Sequence, residues 1–382
     1  VIEDGTAWEI GSGTYTATGT TLSRTLDESS TGALLNLTGA AVVYVSATAA
    51  DLAPVLDLYA ENPVTPTAPS ATGSNAVAIG DGSSATDTFC LGFGPFSSAT
   101  AYAASAFGTT SKAAGSYSVA LGRSRAGGVG SLAAVIDNNT TTYGTTGDFA
   151  IAVGYRAKAS VNFSLAVGGA QNIASGTYSV ALGGETSLAS GGGSFAAGGE
   201  FPTASGAFAV ALGGSVNTAS GEASYAYGKR SLADKVGKYA YGAQLVGTSG
   251  ATQAGMMVLV AATSDATSKS LVSNTNAAGT TNQIILPNNS AFAFHGTIVA
   301  RQQASTGTAT AAWKVEGLIR REGSAGTTVL VNSVTTILDN TPSWGMTISA
   351  DTANGGLAIT VTGAAATNIR FVATINTSEV TY

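Results

Sequence analysis

The chain has 382 residues, length enough for two or three domains, with 50 glycines and only 10% charged residues. Glycine in that amount with so little charge is the composition of low-complexity chains, yet 44% of the residues are apolar, which is enough to bury a core. The formal net charge of −6, with no Lys/Arg cluster long enough to follow a phosphate backbone, excludes nucleic acid as an expected partner.

Residues 1–60 alternate polar and apolar positions around Gly turns, in "DGTAWEIGSGTYTATGTTLSRT" (4–25) and then "GALLNLTGAAVVYVSATAAD" (32–51). That texture predicts a small β domain. The chain begins at Val1 without Met or a signal peptide, which predicts a processed or partial chain. Around "WEIGSGTYT" and "GTTLSRT" the segment resembles a short domain of phage tail fibre and other virion proteins. The resemblance implies an attachment module that holds other tail or baseplate proteins. A Pro-rich stretch, "NPVTPTAP" within 61–72, reads as an extended linker.

From 73 to 243 a short phrase recurs. Aligned on its last residue, it ends at 80, 92, 108, 122, 137, 154, 168, 183, 198, 213, 228 and 242, twelve units of about 14–16 residues. Regular self-similarity of this length marks a repeat architecture. Within a unit such as Tyr178–Gly183, Tyr178, Val180 and Leu182 share one face while Ser179, Ala181 and Gly183 share the other, a period of two and hence a short strand. A second short strand and two turns complete the unit and leave no room for a helix. Each unit is therefore one coil of a β-solenoid, and twelve coils at about 4.8 Å make a column about 58 Å long.

The large face, Val119, Leu121, Val180, Leu182, Val210 and Leu212, is expected to fill the inside of each coil. The small face, with Ala181 and Ala211, is expected to let a neighbouring chain approach closely. So thin a column buries little by itself, which predicts three copies around an axis. Cys90 reads as a small buried filler, and it excludes an intrachain disulfide or a cysteine zinc site. Residues 138–147 (NNTTTYGTTG), with Tyr143 as a candidate contact residue, read as a loop bulging from the column.

"SNAVAIGDGSSA" (74–85), "GSYSVALG" and "YSVALGGETSLASG" resemble the head repeat of YadA-like trimeric autotransporter adhesins over about 73–243. That resemblance implies an all-β, trimeric, left-handed parallel β-roll. Such repeats also occur in phage fibres.

Beyond 244 the rhythm stops. Strand-like runs at 256–261, 283–286, 291–301, 311–321, 327–331, 346–350, 357–362 and 369–376 predict an antiparallel, jelly-roll-like β-sandwich over 244–382. "TTNQIILPNNSAFAFHGTIVARQ" (280–302), "AAWKVEGLIRREGSAGTT" (311–328) and the C-terminal run resemble C-terminal domains of phage tail fibres. No coiled-coil stalk or membrane-barrel segment is read here, so the flanks point away from a bacterial surface anchor. No stretch approaches 18 uninterrupted apolar residues, so no membrane insertion is expected.

Chemistry is scarce. The lone His295 excludes H-E-x-x-H and alternates with Phe292 and Phe294, as a strand histidine on a polar face does. Gly128-Val-Gly130-Ser-Leu-Ala133 matches G-x-G-x-x-A by chance, and "YGKRS" (227–231) lacks the upstream glycine of a phosphate loop. Glu185 and Glu200 share a coil position, with Ser215 and Arg230 continuing it, and read as a solvated ridge before a glycosidase dyad or a cation site.

The expectation is a non-enzymatic chain without catalytic residues, cofactor or metal. Receptor contact is expected in the C-terminal head at Trp313, Trp344, Asn288, Asn289, Arg320 and Arg321. The resulting reading is a homotrimeric phage tail fibre, located in the virion tail, that adsorbs to a host glycan or protein. A bacterial trimeric adhesin fragment at the cell surface and a glycan-degrading tail spike are the alternatives.

Overall fold

The computed structural model describes residues 1–44, 65–137, 142–243, 247–305 and 307–382. The run at 45–51, the first part of the linker (61–64) and the first residues of the 138–147 loop lie outside the described residues. The chain divides into two compact units, Val1–Thr65 and Pro66–Tyr382.

In the first unit Ala7–Ser12 pairs on one side with Ile2–Asp4 and on the other with Thr25–Ser29, and Val42–Val43 adds to Ile2–Asp4. Its anchor is polar: Glu9, 3% exposed, receives Arg24 Nη1 at 2.8 Å and the Leu35 backbone N–H at 2.7 Å. The predicted small β domain is this sheet.

Among the described residues the second unit begins as a column of twelve coils, each contributing a strand of three to six residues to one parallel ladder and a two-residue strand to another. Successive strands of the first ladder run Val77–Ile79, Leu91–Phe93, Ser105–Phe107 and onward to Tyr239–Ala243. Coil stacks on coil through bonds such as Val180 N–H to Ser194 O and Leu188 N–H to Pro202 O, both 2.9 Å. The predicted solenoid is therefore present.

Two details of the repeat differ from the sequence alignment. Leu91-Gly92-Phe93 aligns with Ser105-Ala106-Phe107, so Gly92 occupies an alanine site and Gly94 is the turn glycine. Cys90 accordingly aligns with Ser179 rather than with Ala181; it is still a fully buried filler. Likewise Leu132-Ala133-Ala134 is the fifth core strand, which puts Val135, not Asp137, at the turn. The long step then runs from Leu132 to its partner Ile151, 19 residues on. The excursion ends early, because Gly144–Thr145 is back in the second ladder and buried.

The inside of the coil is the reverse of the sequence expectation. Ala181, Ala211 and their equivalents in both ladders, Ala106, Ala120, Ala189 and Ala204 among them, are 0% exposed and form the core of the column. Val180, Leu182, Val210 and Leu212 point outward, as do Val119 and Leu121. Two ladders joined by tight turns stand too close for large side chains between them, whereas sheets packed through such side chains sit about 10 Å apart. The glycine beat also acts within one chain. A Cβ on Gly176 would collide with the carbonyl oxygen of Gly191, one on Gly191 with that of Gly206, and one on Gly206 with that of Gly221.

The column passes without a break into the C-terminal sandwich. Among the described residues nine strands form it: β1 (Thr252–Thr263), β2 (Ser268–Ser270), β3 (Ile284–Ile285), β4 (Ser290–Gln302), β5 (Thr310–Arg321), β6 (Val329–Asp339), β7 (Gly345–Asp351), β8 (Gly356–Thr362) and β9 (Ile369–Thr381). Strand β1 pairs antiparallel with the last coil, Tyr239 opposite Met256, and the sheet continues in the order β1-β9-β4-β5-β6. A smaller layer, in which β8 pairs with β2, β3 and β7, covers its inner face. Between the layers lie Leu259, Phe292, Ile298, Ile319, Ile359 and Phe371.

The joint between column and sandwich carries a buried ion pair. Lys238 Nζ meets Glu379 Oε2 at 2.8 Å with side chains 7% and 3% exposed, and Gln253 Nε2 and Thr377 Oγ1 donate to the same carboxylate at 2.6 and 2.7 Å. Gly255 makes the space, since a Cβ there would strike Glu379 and Thr377. Removing one partner of a buried pair strands the other, at about 3–5 kcal/mol. Lys238→Met is therefore expected to lower unfolding stability by that amount and to speed amide exchange across 232–256. Thermal unfolding together with hydrogen exchange checks this, and unchanged exchange at the joint would contradict it.

Candidate interaction surfaces

The two ladders of the column present different outer faces. In the first ladder the outward positions form two parallel columns of apolar side chains. One runs through Val77, Leu91, Val119, Leu132, Ile151 and Val180; its partner runs through Ile79, Phe93, Phe107, Leu121, Val153 and Leu182. In the second ladder the outward positions include Ser84, Ser98, Lys112, Arg125, Lys158, Thr203 and Thr218. One face is apolar in every coil but the third, where Ser105 stands between Leu91 and Val119; its opposite is mostly polar, with Ile173, Leu188 and Leu232 as apolar exceptions.

A third apolar line borders the first two. Phe89, Tyr117, Phe149, Phe163, Tyr178 and Phe208 occupy the left-handed turn just before the core strand, with φ between 54° and 61°. They are 47–67% exposed. Left-handed backbone costs a non-glycine residue roughly 1–2 kcal/mol. Other coils carry Asn75, Ala103, Ala223 or a glycine there, and at two of the glycines the ring of the next coil lies over the gap: Phe149 over Gly130 and Phe208 over Gly193. Phe149, Phe163 and Tyr178 stack at 5.5 and 5.1 Å with nearly parallel rings. Large side chains held at strained positions and left half in water require a role outside the coil. No periodicity argument separates this line from the other two, because all three share the outward face.

The candidate contact residues separate into three groups. Trp313 and Trp344 are 2% and 4% exposed and belong to the sandwich core, Trp344 edge-on to Phe371 at 6.1 Å. Their rings are closed to any receptor, which corrects the expectation that they present aromatic faces. Asn288, Asn289 and Arg320 are exposed and come together with the chain end: the Asn289 N–H donates to Glu322 O at 3.2 Å, and the Tyr382 N–H donates to Asn289 O at 3.0 Å. Arg320 is paired with Glu322 at 2.6 Å, while Arg321 is turned inward to the Leu286 carbonyl at 2.7 Å. Tyr143 lies far off in sequence on the column, half-buried, with the Arg156 guanidinium 5.9 Å from its ring centre.

The polar motifs are placed as follows. Glu185 and Glu200 stack as neighbouring rungs and are exposed, and Ser215 Oγ donates to Glu200 at 3.2 Å. The next rung is Lys229, not Arg230. His295 projects from the outer face of β4, opposite Asn376 and Glu316. Among the described residues no three His, Cys, Asp or Glu side chains gather as a metal site, and no helix is long and apolar enough to cross a membrane.

Compared with known proteins, residues 71–89, 99–124, 146–169 and 169–186 match the family model of the YadA head domain repeat. All four segments lie in the column, which thus contains repeats of the adhesin-head type. No curated protein matches the chain.

Proposed function

We propose that the chain is a homotrimeric surface-binding fibre that acts by non-covalent adhesion and not by catalysis. Within that reading it is a phage tail fibre whose first unit attaches to the tail and whose C-terminal sandwich meets a host glycan or protein. The observation that carries the assembly is the contrast between the two ladders: three adjacent, largely apolar lines on one, and on the other mainly serines, threonines and basic residues, with Ile173, Leu188 and Leu232 the apolar exceptions. Exposed apolar stripes of that length are covered in the working state, and a repeat of adhesin-head type supports a second and third copy as the cover. Three heads on one stem also strengthen a weak contact by avidity.

The YadA head match favours a second reading, a bacterial adhesin at the extracellular surface. Immunogold labelling of particles and cells separates the two: gold on virion tails is the expected result, and gold on the cell envelope would replace the fibre with the adhesin. Sedimentation of the purified chain is expected at three times 37.4 kDa, and a folded monomer would end the trimer. No reducing sugar is expected from host polysaccharide. Release abolished by Glu185→Gln or Glu200→Gln would turn the chain into a glycan-degrading spike.

A further inference from the structure

Strands β1, β4 and β9 overhang the column. Met256 is the last residue of β1 opposite a coil residue, and β1 continues to Thr263, so Ala262 lies about 20 Å beyond the joint. On that overhang the outward rung reads Ala262, Arg370, Arg301, Thr310. Arg301 and Arg370 are thus directly opposite each other on neighbouring strands, both exposed. Like charges at directly opposed positions repel and weaken a sheet. Neither is relieved by a carboxylate: Arg301 Nη1 is bonded only to the Thr308 carbonyl at 3.0 Å, and Arg370 has no polar partner among the described residues. The two arginines open into a cleft of about 700 Å³ whose wall also carries Lys269, bonded at 2.7 Å to the Ala262 carbonyl.

The rest of the cleft is uncharged, part polar and part apolar, the apolar part being Ala262, Ala304 and Ile369. Ser264, Gln302, Gln303 and Asn368 line it, and the amides of Gln303 and Asn368 are fixed to each other at 2.9 Å through both side chains and backbone. Three of the chain's sixteen basic residues converge here, on a molecule whose net charge is −6. Asp265, the nearest acid along the chain, accepts the Thr267 backbone N–H at 2.7 Å and lies within charge–charge reach of Lys269, so the two arginines are the cations left without a carboxylate. A volume of this order fits a ligand of a few rings. Guanidinium groups suit planar or forked oxyanions, and a rim of amides and a hydroxyl suits sugar hydroxyls.

We propose that this cleft binds an acidic saccharide, with Arg301 and Arg370 sharing its carboxylate or phosphate and Lys269 adding charge. The ligand relieves the arginine repulsion, and the amide rim holds the ring that carries the acid. This names the receptor chemistry of the surface-binding reading and rests on it, but its test does not pass through the trimer.

The test is calorimetric titration of the full chain with three probes: a uronic-acid tetrasaccharide, the same sugar with its carboxyls reduced, and a phosphorylated disaccharide, with inorganic phosphate alongside. Binding of at least one acidic sugar is expected, and which of the two binds identifies the anion's source. Each charge-assisted contact contributes about 1.5–3 kcal/mol, so Arg301→Gln and Arg370→Gln are each expected to weaken it about ten- to hundredfold. Lys314→Gln, on the same face but paired with Glu316 at 3.4 Å, leaves it unchanged. Sedimentation of every variant reports the assembly separately, so loss of binding with an intact trimer is attributable to the cleft.

Three results would overturn the proposal: no binding of either acidic sugar, equal binding of the reduced sugar, or arginine variants that bind as the parent does. Inorganic phosphate binding as tightly as the sugars would reduce the cleft to a simple anion site and overturn the saccharide.

Discussion

Leu182→Lys is expected to abolish the proposed trimer. Leu182 lies on the outward apolar face, flanked by Val167 in one coil and Ala197 in the next. Covering a leucine stabilises by about 1.5–3 kcal/mol, and a trimer loses that three times over. Each lysine must in addition give up water for an apolar seam beside two like charges, at several kcal/mol apiece. The sum, on the order of 10 kcal/mol, exceeds what a micromolar assembly can spare. Sedimentation velocity is the measurement, with Ser190→Lys, exposed at a turn of the coil, as the substitution that leaves the parent value. A Leu182→Lys chain that sediments like the parent would sink the seam.

The interior gives the second large effect, of opposite origin. Ala181→Leu adds three carbons at a site with no exposed surface, facing the equally buried Ala189 and neighbours Ala166 and Ala196 above and below. Overpacking usually costs about 1–3 kcal/mol because side chains shift into slack. This core has none, being made of alanines against backbone. The coil has to open, which breaks bonds such as Leu165 N–H to Ser179 O at 2.9 Å and Val180 N–H to Ser194 O at 2.9 Å. A loss of more than about 3 kcal/mol is expected. Ala181→Ser, which keeps the volume, should cost about 1 kcal/mol. Thermal unfolding of the two variants decides it, and a leucine variant as stable as the serine one would mean that the alanine face is not the core.

These two substitutions mark where sequence reasoning succeeded and where it did not. The alternation of Tyr178, Val180 and Leu182 with Ser179 and Ala181 made the strand and its two faces legible. Which face is inside was not legible, because period two states only that two faces exist. The habit of placing large residues within fails where two short ladders are joined by turns too tight to admit them. The slips at Gly92 and Val135 have a related cause: a shift of two residues keeps every side chain on its own face, so glycine at an alanine site can pass for a turn glycine.

In the sandwich the buried strands were readable from their alternation, while β6 was read as 327–331 and in fact runs Val329–Asp339, so that only its first three residues were found. As a free edge with almost every residue exposed, it has no buried face to imprint a pattern. Trp313 and Trp344 were misplaced for the opposite reason, since residue type says nothing about which layer will cover a ring. The arginine cleft depends on a cross-strand pairing over 60 residues apart, which no local pattern records.

The stacking of the coils also sets how the column bears tension. Bonds between rungs run along its length, so a pull on its two ends passes through every rung in series, and strength is that of the weakest link. Most neighbouring rungs of the second ladder share two residue pairs, but Arg125–Ala126 and Gly144–Thr145 share only Ala126 with Thr145, beside the 19-residue excursion. That rung is the mechanical fuse of a single chain, and lateral packing of further copies would carry the load past it.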